Sequence, residues 1–120
     1  MAFELRDEER GTVVVITVTG DLDAPERSRQ LIALFRRHFE QGQRSFVLDL
    51  SGARRLKIKG ASAILDMHKK CRGCGRTRLV LGTNVQVRRM LDQLGWLGLF
   101  ATFEDLKAAL ESFEPVGAAA

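Results

Sequence analysis

Four cations crowd one short stretch of this chain, Arg54-Arg55-Leu56-Lys57-Ile58-Lys59-Gly60, and they supply its most concentrated chemistry. Between Arg54 and Arg78 there are nine lysines and arginines against one acid, Asp66, although the whole sequence has a net charge of only +4. The cluster precedes a helix, where cations are opposed by the positive end of the helix dipole. A sequence that accepts that cost suits an anionic partner: an acidic protein face, a phosphate-bearing ligand, nucleic acid or anionic lipid. An ordinary solvated basic surface is an equal reading. No aromatic residue interleaves the cations, which argues against single-stranded nucleic acid. Ser51 and Ser62 flank the stretch. Either hydroxyl is a phosphate acceptor in type, and a phosphate on Ser62 would be favoured by the helix dipole and by Lys59; each reads more simply as structural.

Cys71 and Cys74 form a Cys-x-x-Cys pair beside Lys70, Arg72 and Arg76, and those cations would lower a thiol pKa. A structural zinc needs four ligands and only His68 stands near. Thioredoxin-type pairs open a helix, whereas this pair closes one. It reads as two incidental thiols in a turn, with a thiol protein as the alternative of another class. Asp21 and Asp23, two residues apart in Gly20-Asp21-Leu22-Asp23, read as helix-capping carboxylates rather than metal ligands. His38 and His68 both fall on helices, and no nucleophile and base are placed together, so the expectation is a non-enzyme with no cofactor and no metal.

The elements that position these groups alternate between strand and helix. Phe3–Leu5 reads as a weak edge strand. Thr12–Thr19, all β-branched, reads as a central strand. Pro25 near a first helical position, with Asp23 as N-cap, opens a helix running toward Phe39 with Leu31, Phe35 and Phe39 on its buried stripe. The next strand is Arg44–Leu50, with Asp49 to Arg55 its polar exit and Lys57-Ile58-Lys59-Gly60 the turn into a helix starting near Gly60. In that helix Ala61, Ile64, Leu65 and His68 face a core, and Asp66, Lys69 and Lys70 face water. Thr77–Leu81 is a fourth strand, and Thr83 or Asn84 caps a helix carrying Val87, Met90, Leu91 and Leu94. A short strand near Phe100–Phe103 and a helix over Glu104–Phe113 complete the order. Such alternation predicts an α/β fold, a mixed sheet of about five strands with four helices packed mainly on one face.

The 120 residues, 45% hydrophobic, are the size of one domain, expected over 1–113 with a frayed tail over 114–120. No apolar run reaches membrane-spanning length, and the charged N-terminus lacks a signal-peptide core, so a cytoplasmic protein without membrane insertion is expected.

The turn Gly20-Asp21-Leu22-Asp23, the strand end Leu48-Asp49-Leu50 and the segment from Val80 to Phe100, in this order, resemble the STAS domain of bacterial anti-sigma factor antagonists and sulphate-transporter tails. The resemblance spans Phe3 to Phe113. It implies a protein-interaction module whose partner is a kinase-type anti-sigma factor, and it leaves self-association open. The family's Asp-Ser-Ser-Gly element falls on Lys57-Ile58-Lys59-Gly60, where only the glycine is kept, and the position of the family phosphoserine is Lys59. The phosphorylation switch therefore cannot operate at the usual site. The partner-binding residues implied are Asp21, Asp23, Arg54, Arg55, Lys57, Ile58, Lys59, Gly60 and Ser62. A STAS subunit of a lipid-transport or other transporter complex is the alternative among binding proteins, and nucleotide or nucleic-acid binding through the basic loop is a further one.

Overall fold

The computed structural model describes residues 3–72 and 76–113. Its elements follow the order β1 (Glu4–Arg10), β2 (Val13–Asp21), α1 (Pro25–Glu40), β3 (Ser45–Arg54), α2 (Ile58–Cys71), β4 (Arg76–Val80), α3 (Val85–Gln93), a 3₁₀ turn (Leu97–Leu99), β5 (Ala101–Phe103) and α4 (Leu106–Glu111). The five strands lie side by side in sequence order; β1 is antiparallel to β2, and every later neighbour pair is parallel. Each parallel step advances by one strand in the same direction, so right-handed crossovers deliver α1, α2 and α3 to the same face.

Side-chain alternation on β2 divides the interior into two cores. Val14, Ile16 and Val18 face the three-helix layer together with Phe46, Leu48, Leu50, Ile64, Met67 and Leu91. Val13 and Val15 face the other side with Val47 and Val80, and there α4 covers them through Ala109, Leu106 and Leu110. The mixed five-stranded sheet with four helices matches the sequence expectation, with α4 alone on the second face.

Three boundaries differ from those read in the sequence. The first strand extends to Arg10 rather than ending at Leu5, because its register is imposed by β2, from Glu4 opposite Thr19 to Arg10 opposite Val13. Its charged residues carry no apolar period and suit an exposed sheet edge. β3 runs past Leu50 to Arg54, and a register shift between its pairings with Thr17 and Thr19 of β2 inserts one extra residue. The inward-facing set accordingly passes from Phe46, Leu48 and Leu50 to Ala53. The last helix begins at Leu106, capped by the Asp105 carboxylate accepting from the Ala108 amide at 2.8 Å, and ends at Glu111. The expected tail over 114–120 lies outside the described residues.

Candidate partner-binding corner

The basic stretch is a corner between β3 and α2 rather than a long loop. Arg54 ends the strand, only Arg55, Leu56 and Lys57 connect it, and the helix starts at Ile58, so Lys59 and Gly60 belong to its first turn. Leu56 is fully buried and pins the connection, leaving Arg54, Arg55, Lys57, Ile58 and Lys59 exposed. The turn is thus shorter and more rigid than a solvated basic loop.

Leu22 holds this corner against the end of β2. Its amide donates to the Arg54 carbonyl at 2.9 Å, its carbonyl accepts from the Lys57 amide at 3.2 Å, and its side chain is fully buried. Gly20 adopts φ 91°, which a glycine accepts without a Cβ penalty, and so turns the chain into this position. Gly60 is required by close approach: a Cβ there would lie 2.8 Å from the Leu22 side chain and 2.9 Å from its carbonyl oxygen. Gly20 and Gly60 therefore serve one contact.

Asp21 and Asp23 flank Leu22 but do not cap α1, which is a correction to the sequence reading. The N-cap is Ala24, with no side-chain cap bond, and Pro25 takes the first helical position. Arg27 instead occupies both: its guanidinium donates to the Asp21 backbone carbonyl at 2.8 Å and lies 3.4 Å from the Asp23 carboxylate. The Asp21 carboxylate stands 4.0 Å from Arg55 Nε. Arg55 adopts φ 47°, in the left-handed region, and its amide donates to Gln86 Oε1 at 2.7 Å. Gln86 and its neighbour Val85, both on α3, join the corner only in three dimensions. Asn84 fixes that junction: its side-chain amide donates to the carbonyls of Leu50 at 2.8 Å and Ala53 at 2.7 Å, while its Oδ1 caps α3 at the Val87 amide.

The two helix starts expose apolar side chains as well as the cations. Ile58 is 52% exposed and Val85 61% exposed, each at the N-terminus of its helix. Lys57 and Lys59 make no ion pair among the described residues, and α2 has no acid in its first turn. Lys57 sits at the N-cap without a capping bond, so the helix-terminal amides are not neutralised by its own side chain. Alongside, between α1 and α2, runs a groove of about 470 Å³ bordered by Arg29, Ile32, Arg36, Lys59, Ser62 and Asp66. Ser62 is half-buried there. Ser51 lies in β3 rather than in a loop, and its hydroxyl donates to the Asp49 carboxylate at 2.7 Å.

The remaining candidates are elsewhere. His38 is buried and its Nε2 lies 2.7 Å from the Asp7 carboxylate, joining α1 to β1. His68, expected in the core stripe, is half-buried with its ring 4.9 Å from that of Phe100; the positions it was expected to fill are taken by Ala63, Met67 and Cys71. Cys71 is 1% exposed, within the helix-side core, and Cys74 lies outside the described residues. No described helix is long and apolar enough to cross a membrane.

A sheet with one antiparallel edge strand, three helices on one face and a motif-bearing corner at the start of the second helix defines a STAS-type module. The family description "STAS domain" matches residues 4–109, and the chain belongs to that family. Among solved structures it is similar to an anti-sigma factor antagonist from Mycobacterium paratuberculosis, with a TM-score of 0.82, 20% identity, and coverage of 92% of this chain and 93% of that one. It is also similar to the anti-sigma factor antagonist SpoIIAA in its unphosphorylated form, with a TM-score of 0.69, 19% identity and coverage of 92% and 96%. The phosphorylated form of the same Bacillus determinant gives a TM-score of 0.70, 21% identity and coverage of 94% and 100%. No curated protein matches the chain.

Proposed function

We propose that this STAS protein is a non-catalytic anti-sigma factor antagonist that docks a kinase-type anti-sigma factor through the β3–α2 corner and is not switched by phosphate at the usual position. The observation that carries this reading is the exposure of two large apolar side chains, Ile58 at the start of α2 and Val85 at the start of α3, together with the exposed Arg54, Arg55, Lys57 and Lys59. Apolar anchors accompanied by cations suit a partner whose face is both apolar and acidic. Asp21, Asp23 and Gly60 shape the corner, and Ser62 lies at the neighbouring groove. The similarity to antagonists supports this class of partner.

Lys59 takes the place at which the family carries its phosphoserine. In a switched antagonist, phosphate would add about two negative charges at that helix terminus and alter the contact. A lysine there has no acceptor hydroxyl, so the module binds constitutively. Titration with the kinase-type anti-sigma factor of the same host tests this. The parent should bind equally well with and without ATP. Ile58→Glu combined with Lys59→Glu should weaken binding about tenfold or more, and Lys59→Ser should acquire a phosphate detectable by mass. Undiminished affinity of the double variant would remove this face from the interface.

A further inference from the structure

β1 ends the sheet on one side: β2 pairs with one of its edges, and no described strand takes the other. Alternate residues of its seven therefore point their backbone N–H and C=O groups out of the sheet, along an edge of about 24 Å.

The side chains of this strand are ordered by sign. Its register with β2 sets Glu4, Arg6, Glu8 and Arg10 opposite Thr19, Thr17, Val15 and Val13, so these four lie on the sheet face that carries Val13 and Val15, whereas Leu5 and Asp7 turn toward the helical layer. All four are exposed. Their ion pairs among the described residues stay within the strand, Arg6 Nε with Glu4 at 3.1 Å and Arg10 Nε with Glu8 at 3.0 Å.

Charges on an edge strand ordinarily keep other strands away. Here they favour one alignment of the strand with a second copy of itself. In full antiparallel overlap, with Asp7 opposite Asp7, Glu4 of one copy faces Arg10 of the other and Arg6 faces Glu8, and the two-fold repeat makes four pairs of opposite charge on one face. Outward-pointing residues bond only to outward-pointing ones, so the strands slip by two residues at a time. Such a slip in one direction sets Glu4 against Glu8 and Arg6 against Arg6; in the other it sets Arg6 against Arg10 and Glu8 against Glu8. The alternation thus opposes both neighbouring registers. On the helical side of the full overlap Leu5 faces Glu9, and each central Asp7 carboxylate is already held within its own chain by His38 at 2.7 Å and Arg37 at 3.0 Å.

We propose that β1 is a self-association edge, through which two copies pair antiparallel over Glu4–Arg10 and join their five-stranded sheets into one. Roughly six to eight backbone hydrogen bonds supply the attraction, and the alternating charges fix the register. One strand edge buries little area, so the dimer is weak and salt-sensitive. The proposal does not use the β3–α2 corner and stands independently of the partner reading.

Sedimentation equilibrium of the full chain, from micromolar to millimolar concentration, should show a monomer–dimer exchange at low ionic strength that weakens about tenfold or more when salt is raised to about 0.5 M. Glu4→Arg with Glu8→Arg leaves four arginines on the face, and Arg6→Glu with Arg10→Glu leaves four glutamates. Each variant alone should be monomeric, and their one-to-one mixture should recover a heterodimer. Amide hydrogen exchange over Glu4–Arg10 of the parent should slow as concentration rises, a readout that needs no substitution should either variant fail to fold. A parent that stays monomeric at low ionic strength, exchange in β1 that ignores concentration, association that either charge variant keeps on its own, or variants that mixing does not rescue would each overturn the proposal and leave the edge to solvent or to an extended segment of another protein.

Discussion

Gly60 and Arg55 set opposite demands on the backbone within one corner. At Gly60 the limit is space, since a Cβ would lie 2.9 Å from the Leu22 carbonyl oxygen, an atom already fixed by its bond to the Lys57 amide. Gly60→Ala should therefore cost about 1–3 kcal/mol, the range for forced overpacking, in urea denaturation. At Arg55 the limit is conformation, because φ 47° strains any residue with a Cβ. Arg55→Gly should relieve that strain at some entropic cost in the unfolded chain, leaving stability equal or higher by up to about 1 kcal/mol. A loss in Arg55→Gly comparable to that in Gly60→Ala would contradict this account. In the sequence the family resemblance singled out Gly60, though not the contact that requires it. The strain at Arg55 was not legible there, since nothing in an Arg-Arg pair signals a left-handed residue.

At the scale of elements, Asn84 joins three of them: it caps α3 and closes the bulged end of β3 by donating to two carbonyls. Sequence reading could name Asn84 as a cap because residues of its type precede an amphipathic run. It could not foresee the second role, which depends on the extra residue in β3 turning two carbonyls toward α3. Asn84→Ala should cost about 2–3 kcal/mol, combining a lost cap with buried carbonyls left unpaired. Asn84→Asp should recover only the capping share, because a carboxylate cannot donate to the carbonyls. Equal stability of the Asp variant and the parent in chemical denaturation would dismiss the second role. The same tertiary cause extended β3 and shortened the basic stretch into a corner, so that Arg54 belongs to a strand and Lys59 to a helix.

For the whole molecule, β1 is tied to the helical layer through Asp7, whose carboxylate meets His38 at 2.7 Å and Arg37 at 3.0 Å. The hydrogen bond to His38, aided by the charges of His38 and Arg37 and opposed by burial, holds the Asp7 pKa below its usual 3.8. A carboxyl with a lowered folded pKa binds fewer protons folded than unfolded. Its contribution is fully present above the unfolded value and is lost as pH falls through the folded one. Asp7→Asn should accordingly be less stable than the parent at neutral pH, with the two converging as acid is added below pH 3.8. Thermal unfolding across that range measures the gap; a gap constant into acid would mean that the charge of Asp7 contributes nothing.

Sequence alone determined the order of strands and helices, the all-β-branched interior strand, the helix start at Pro25 and the family to which the chain belongs. These follow from local periodicity and from short motifs that the chain carries linearly. The tertiary structure alone decided that Gly20-Asp21-Leu22-Asp23 and Gly60 serve a single contact, that Val85 and Gln86 join the basic corner, and that α4 seals the second face of the sheet. It also decided that β5 pairs only with Arg78–Val80 and so does not cover the start of β4. Each of these depends on which distant segments the crossovers bring together, and that is set by the burial of the two faces of the sheet rather than by any local pattern.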